Sequence, residues 1–250
     1  MNATRFFDCS VEFGMRRVLN PGSFYETGEL LRKMEYYGIG EALVYHSLAA
    51  GYNPVIGNGI LIEEIKDIPS LHPAWVVMPH HTGEFPEPDA LRGEMRSNGV
   101  KAVRMFPANH CYSLAEYSCG ELFGMLEECR APVMIGYNQT SPDAVCEVMA
   151  AHPELRLVLT DFSNSAARNV YALMKKFENI FLETIMFKPL EGIEDVCARF
   201  GARRLIFGSG APLYSGGAAA AMINYASVGD DEKEMITHGN LERLLGEVRL

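Results

Sequence analysis

The sequence predicts an α/β fold, a (β/α)8 TIM barrel in which eight parallel strands alternate with helices. Short apolar runs alternate with amphipathic stretches that carry helix-capping residues, and this unit recurs eight times along the chain. The length of 250 residues is typical of one such barrel. No Gly-x-Gly-x-x-Gly or Walker loop follows a strand, which argues against an open nucleotide-binding sheet. We therefore expect a single barrel domain over residues 1–250.

The predicted strands are short and mostly apolar, as parallel strands are when helices cover the sheet. They are Arg5–Phe13, Glu41–His46, Trp75–Pro79, Ala102–Phe106, Val133–Tyr137, Arg156–Asp161, Ile180–Thr184 and Arg204–Ser209. Between them, Ser23–Glu26 and Ser113–Glu116 have the spacing of a capping box, and Ser141 precedes a proline suited to the first helical position. Asp230–Leu245 predicts a final amphipathic helix, interrupted at Gly239-Asn240.

The charge of the chain argues against two classes of partner, nucleic acids and membrane surfaces. The net charge is −10 at pH 7 and no run is rich in lysine or arginine, so we expect neither nucleic acid nor a membrane surface as partner. The chain shows no signal-peptide pattern, and its six cysteines are scattered, which favours a cytoplasmic location. The expected partner is a small-molecule substrate or ligand. The oligomeric state stays open, and a homo-oligomer is compatible with the sequence.

Polar side chains gather at the C-terminal ends of the predicted strands, where TIM barrels carry their functional groups. They are Asp8, Ser10, Glu12, His46, His80, His81, His110, Tyr137, Asn138, Asp161 and Glu183. Strict alternation along strand one predicts that Asp8, Ser10 and Glu12 share one face. The same alternation points Cys9 toward the helices.

We assign candidate roles by residue type. Carboxylates in an apolar mouth and an imidazole are the side chains that exchange protons near neutral pH, so Glu12, Asp161 and His110 are the catalytic candidates. The hydrogen-bonding groups of the same rim are the substrate-binding candidates. They are His46, His80, Tyr137 and Asn138, together with Arg104.

Arg104 is the most informative of these residues, because alternation on strand four points its guanidinium into the barrel. A buried guanidinium is costly unless an anion accompanies it. One interpretation is an internal ion pair with Asp8 or Asp161. The other is an anchor that holds a substrate carboxylate or phosphate bidentately.

Four segments resemble the amidohydrolase superfamily, in particular its amidohydrolase-2 (amidohydrolase-related) branch. Phe7–Gly14 resembles the opening Asp-x-His-x-His strand, and Gly99–Pro107 resembles the fourth strand. Arg204–Pro212 is similar to the strand-eight phrase Phe-Gly-Ser-Asp-x-Pro, and Gly239–Leu245 is similar to the closing Gly-Asn-x-x-Arg-Leu-Leu helix. The segments occur in the family's order, and the resemblance implies a TIM barrel of the metal-dependent hydrolase type.

The resemblance also implies a divalent metal, usually zinc, at residues that this chain has replaced. The family holds its metal with two histidines of strand one, histidines after strands five and six, and an aspartate after strand eight that also accepts a proton from the attacking water. Those positions fall on Ser10, Glu12, Gly136 or Tyr137, Asp161 and Gly210. We therefore expect no metal of the usual kind. A rebuilt zinc or manganese site, using Glu12, Asp161 and a rim histidine, is the alternative.

Two functions remain open at this stage. The resemblance implies a hydrolase that acts on a small anionic substrate at the mouth of the barrel without the usual metal, with decarboxylation as a second chemistry of that branch. The alternative is a catalytically inactive relative that binds a small ligand or a partner protein. Fold alone does not decide between them.

Overall fold

The computed structural model describes residues 5–16, 18, 20–185 and 188–250. In this part of the chain the strands form one parallel sheet in the order β1 to β8, which confirms the predicted barrel. The strands are β1 Phe6–Phe13, β2 Ile39–His46, β3 Leu71–Val76, β4 Ala102–Met105, β5 Val133–Gly136, β6 Leu157–Thr160, β7 Ile180–Glu183 and β8 Leu205–Ile206. Backbone hydrogen bonds from β1 to the chain after β8 close the ring, including Cys9 N–H to Phe207 O at 3.0 Å.

Helices follow the strands and cover the outside of the barrel. They are α1 Thr27–Tyr37, α2 Ser47–Gly51, α3 Pro54–Ile65, α4 Pro88–Ser97, α5 Glu116–Glu128, α6 Pro142–Ala151, α7 Ala167–Lys176, α8 Gly192–Phe200, α9 Gly216–Asn224, α10 Asp230–Glu234 and α11 Asn240–Gly246. A π-helical turn, Met235–Gly239, joins the last two. Among the described residues, no helix combines the length and the apolar character that crossing a bilayer requires.

Several predicted boundaries shift in the structure. Strand β3 begins at Leu71 rather than Trp75, because pairing with β2 extends it across a His-Pro pair that interrupts the apolar pattern. Ser23 and Ser113 do not cap helices, which start later, at Thr27 and Glu116. The Ser141 cap is confirmed: its hydroxyl accepts a hydrogen bond from the N–H of Ala144 at 3.1 Å.

The final helix is also more continuous than predicted. Gly239 has helical dihedral angles, and the chain passes from α10 through the π-helical turn into α11. Leucines of α11 pack against the side chains that fill the barrel. This inner cluster comprises Phe7, Cys9, Leu43, Ala74, Ala102, Met134, Val158, Phe181 and Ile206 with Leu241, Leu244 and Leu245. Since α11 covers the N-terminal end, the C-terminal mouth is left for a site.

Strand β1 contains a β-bulge that reverses which side chains face the barrel interior. Asp8 pairs with Ala42 of β2 and Val11 with Val44, so three residue steps on β1 match two on β2. Before the bulge, Cys9 belongs to the inner cluster. After it, the inward positions are shifted by one residue.

The bulge overturns two predictions made from strict alternation. Cys9 faces the interior rather than the helices, and Asp8 does not share the face of Ser10 and Glu12. Asp8 instead joins the two ends of the sheet, because its Oδ1 accepts hydrogen bonds at 2.9 Å from the N–H groups of Ser10 and Ser209. It is therefore a structural residue of the β1–β8 seam.

Candidate active site at the mouth of the barrel

Arg104 lies on β4 with its guanidinium inside the barrel, as predicted, and is only 3% exposed. Its Nη2 donates hydrogen bonds to Ser10 Oγ at 2.9 Å and to Cys9 O at 3.3 Å. The ring of Tyr45 lies over it, with 4.5 Å from the guanidinium carbon to the ring centroid. These contacts satisfy only part of its hydrogen-bonding capacity.

The predicted ion pair of Arg104 with Asp8 or Asp161 does not form. No carboxylate among the described residues lies within 4.0 Å of the guanidinium, and its Nε–H has no partner there. Asp8 is held at the seam by backbone N–H groups, so its carboxylate cannot reach inward. Asp161 acts on Arg104 only through its charge at longer range.

Glu12 points into the mouth but is already paired. Its carboxylate accepts a hydrogen bond from the hydroxyl of Tyr45 at 2.8 Å and forms an ion pair with Arg16. Burial and the neighbouring charge of Glu12 hold the pKa of Tyr45 well above its usual range, so that hydroxyl keeps its proton. In this arrangement the charge of Glu12 is balanced by Arg16 and its oxygens already accept hydrogen bonds, so it is not free to act as a base.

Glu183, at the end of β7, belongs to the site although sequence reasoning placed it only on the rim. It is completely buried, and neither carboxylate oxygen has a hydrogen-bond partner of acceptable geometry among the described residues. Burial, followed by the charge of Asp161, raises its pKa to about 8, while Arg104 opposes that shift. The signal was available: Phe181 of the same strand is a core residue, so Glu183 two positions later faces inward.

Asp161 and Asn138 meet over Gly136 at the ends of β5 and β6. A Cβ atom on Gly136 would lie 2.5 Å from Asn138 Oδ1 and 3.2 Å from Asp161 Oδ2, so these side chains occupy the space that a larger residue would fill. Asp161 is exposed, has a positive φ of 54°, and accepts a hydrogen bond from Thr160 at 3.0 Å. Tyr137 instead turns toward Asn169, whose amide donates to its hydroxyl at 3.5 Å.

His46 is built into the wall of the mouth. Its Nδ1 accepts a hydrogen bond from the N–H of Leu48 at 3.1 Å and so caps α2. Its ring packs edge-on against Phe13, 5.5 Å between centroids. Burial lowers the pKa of His46, which favours the neutral imidazole at pH 7.

The other two candidate histidines, His80 and His110, contact residues other than Arg104. His80 faces α5, with its Nε2 3.5 Å from Glu121 Oε2 and its ring 4.4 Å from that of His81. His110 is half-buried beside the rings of Phe106 and Tyr112. Burial lowers the pKa of His110, and neighbouring backbone of α2 opposes the shift.

An open cleft of about 1080 Å³ lies above these residues, between the chain after β1 and helices α2 and α3. Its polar lining includes Glu12, Arg16, His46 and Asn109, and Phe106 supplies an apolar surface. The volume accommodates a small organic molecule. Tyr45 connects this cleft to the Arg104 guanidinium, because it contacts both Arg104 and Glu12, which lines the cleft.

Gly210 and Ser10, two positions at which the resemblance predicted a replaced metal ligand, have other contacts. Gly210 has a positive φ of 64°, and a Cβ atom there would lie 2.7 Å from Tyr214 Cδ2, so the tyrosine ring occupies that space. At the first strand-one position, Ser10 accepts its hydrogen bond from Arg104. Within the described ranges, no group of three or more His, Cys, Asp or Glu side chains is placed to hold a metal ion.

The fold and the mouth together define a class: a parallel barrel that carries charged side chains at the C-terminal ends of its strands. The chain belongs to the amidohydrolase-2 family, whose model, described as amidohydrolase, matches residues 66–246. The match covers more than two thirds of the 250 residues. It starts after α3, so Ser10 and Glu12 of β1 lie before the matched residues.

Solved structures share the fold. An uncharacterized TIM-barrel protein from Bordetella bronchiseptica is 18% identical, with a TM-score of 0.76 over 97% of this chain and 99% of that one. A 2,6-dihydroxybenzoate decarboxylase from Rhizobium is 14% identical, with a TM-score of 0.78 over 97% and 99%. A dihydroxybenzoic acid decarboxylase from Polaromonas sp. JS666, with bound manganese and 2-nitroresorcinol, is 12% identical, with a TM-score of 0.76 over 99% and 98%. No curated protein sequence matched the chain.

Proposed function

We propose that this protein is an amidohydrolase-family hydrolase that acts on a small anionic molecule at the barrel mouth, with Arg104 rather than a divalent metal as the fixed positive charge. The observation that carries the proposal is the environment of Arg104: buried, without a carboxylate at contact distance among the described residues, and with a free Nε–H. A buried cation without a counter-ion costs several kcal/mol, which a bound carboxylate or phosphate would offset.

The residues at the family's ligand positions do not fit a divalent metal. Glycine offers no side-chain donor atom at position 136 or 210, and Ser10 is engaged by the guanidinium. A divalent cation about 4 Å from Arg104 would be repelled by on the order of 8 kcal/mol at an effective dielectric constant of about 20. The guanidinium that binds Ser10 therefore opposes a divalent cation at that position.

Asp161 is the base that suits hydrolysis. Of the three carboxylates at the mouth, Glu183 is buried and Glu12 is paired with Arg16, whereas Asp161 is exposed. A water molecule beside Asp161 would transfer its proton to the carboxylate as it attacks a substrate held by Arg104. His46, whose lowered pKa favours the neutral imidazole, lines the cleft.

Decarboxylation is the second candidate, and a specific observation favours it. Two of the structural neighbours are named as decarboxylases of dihydroxybenzoates, which are small anionic aromatic acids. Release of carbon dioxide from such an acid leaves an electron pair on carbon that must take up a proton. Glu183, which keeps its proton at pH 7 and lies near enough to Arg104 for the guanidinium to act on its pKa, would supply that proton. Measuring carbon dioxide against hydrolysis products separates the two reactions.

We expect Arg104→Met to abolish stabilisation by small anions. In the wild type, millimolar benzoate or inorganic phosphate should raise the melting temperature, because an anion that binds only the folded state stabilises it by mass action. The variant lacks the cation and should show no shift. Arg168→Met, an exposed arginine on α7, is the matched control and should respond like the wild type. Equal shifts in wild type and Arg104→Met would remove Arg104 as the anion anchor.

We also expect purified protein to hold less than about 0.1 equivalent of any divalent metal. Gly136 and Gly210 offer no side-chain ligand, and the Arg104 guanidinium repels a cation. Elemental analysis before and after soaking with zinc or manganese measures this. Near-stoichiometric metal that disappears in Glu12→Gln or Asp161→Asn would show that a rebuilt carboxylate site exists. A protein that binds anions but catalyses neither hydrolysis nor decarboxylation would instead favour the ligand-binding alternative.

A further inference from the structure

Glu183 has no role in the hydrolytic scheme, yet its surroundings are unusual. A fully buried carboxyl group ordinarily has a partner for each oxygen, because an unpaired polar atom in the interior costs free energy. Both oxygens of Glu183 lack a hydrogen bond of acceptable geometry among the described residues. The nearby backbone N–H of Asp161 lowers the pKa of Glu183, but this effect is smaller than the rise that burial causes.

The barrel makes room for this carboxyl group at one specific residue. A Cβ atom on Gly208, in the segment after β8, would lie 2.2 Å from Glu183 Oε1 and 2.5 Å from its Cγ. Any side chain at position 208 would therefore displace Glu183. The glycine and the glutamate form a matched pair across the β7–β8 edge.

The charges that face Glu183 come from three strands. They are Asp161 at the end of β6, Arg104 on β4 and Asp8 on β1, and the uncharged Cys9 thiol of β1 also lies near. Burial acts first and the two aspartates act in the same direction, so together they outweigh Arg104 and the pKa of Glu183 rises to about 8. At pH 7 the side chain is mostly the neutral acid, which has an O–H donor that a carboxylate lacks.

We propose that Glu183 is the second half of the anion site: a neutral acid that donates a hydrogen bond to the anionic group held by Arg104, and so makes binding depend on its proton. This inference rests on the proposed function. The unpaired Nε–H of Arg104 and the unpaired carboxyl oxygens of Glu183 both lie inside the barrel. A carboxylate has lone pairs for both donors, whereas a cation would be repelled by the guanidinium.

Ionisation of Glu183 should weaken the site. A second negative charge beside the bound anion repels it, so we expect the affinity for benzoate to fall about tenfold per pH unit above pH 8. Benzoate itself stays ionised through this range. Glu183→Gln keeps a neutral donor, since its amide N–H replaces the carboxyl O–H, and removes the titration. That variant should bind benzoate within a few-fold of the wild type and show no such fall.

The experiment is a calorimetric titration of benzoate from pH 6 to pH 10 into wild type, Glu183→Gln and Arg104→Met. An affinity in the wild type that stays constant above pH 8, or the same fall in Glu183→Gln, overturns the role of Glu183 while leaving Arg104 as anchor. Equal binding by Arg104→Met overturns the proposed function instead. Absence of binding by the wild type at every pH overturns both.

A second readout needs no ligand. The infrared difference spectrum between wild type and Glu183→Gln at pH 6.5 should contain the carbonyl band of a protonated carboxyl group. The band should titrate away near pH 8. If the band is missing at pH 6.5, Glu183 is already ionised and the inference is wrong, whatever the fate of anion binding.

Discussion

Replacing Gly57 by alanine is expected to lower the free energy of unfolding by about 3 kcal/mol, the upper part of the usual range for overpacking. Gly57 lies in α3 where that helix crosses α2. A Cβ atom there would lie 2.2 Å from the backbone nitrogen of Ala49 and 2.5 Å from its Cα. Because these are backbone atoms, no rotamer change relieves the clash, and α2 itself must move.

The displacement should also reach the cleft, since α2 supplies its wall through Ser47, Leu48 and Ala50. Urea unfolding measures the stability change, and a drop in melting temperature of roughly 6–12 °C should accompany it in a chain of this size. Gly59→Ala is the control on the same helix, because nothing lies within 4 Å of a Cβ atom there. It should be neutral or stabilising by up to about 1 kcal/mol. Equal stabilities of the two variants would show that α2 and α3 do not approach so closely.

The stability of the wild type is expected to fall by several kcal/mol as the pH rises from about 5 to 8, and much of that fall should vanish in Glu183→Gln. The pKa of Glu183 is about 8 in the folded protein and 4.5 as an ordinary glutamate. Between those values the folded state keeps a proton that the unfolded state has released, so rising pH favours unfolding. A gap of 3.5 units corresponds to at most about 5 kcal/mol.

Urea unfolding of both proteins at pH 5.5, 7 and 8.5 measures this contribution, since all other titrations are shared. Glu63→Gln, an exposed residue of α3, serves as control and should follow the wild type. Parallel curves for wild type and Glu183→Gln across this range would show that the buried carboxyl group titrates like an exposed one. The sign is opposite to that of a salt-bridged carboxylate, which would stabilise the protein as the pH rises.

The site could be predicted from the sequence only in part. The inward placement of Arg104 followed from alternation along an unbroken strand, and the structure agrees. Alternation failed on β1, where the bulge shifts the inward set and turns Asp8 toward the seam. His80 was grouped with Arg104 as a substrate-binding candidate because it follows strand three, yet its charged partner is Glu121 of α5. A position at the end of a strand places a residue on the rim of the barrel, but it does not specify where the side chain points.

The pairing of charges was less predictable still. Arg16 neutralises Glu12 from four residues away, and no pattern in the sequence distinguishes it from other surface arginines. Glu183 was visible at the end of a predicted strand. The space that its carboxyl group occupies exists only because residue 208, twenty-five positions later in the chain, is a glycine. Such partners are defined only when the barrel closes.

The sequence by itself determined the barrel and the family, because strand–helix alternation and short motifs are local patterns that each segment carries alone. The resemblance also predicted that metal-ligand positions of the family are replaced here. The contacts at those positions emerge only in the folded barrel: Arg104 binds Ser10, Tyr214 fills the space at Gly210, and Asp161 and Asn138 lie over Gly136. Side-chain direction depends on strand register, and burial depends on residues distant in sequence, so both require the assembled fold.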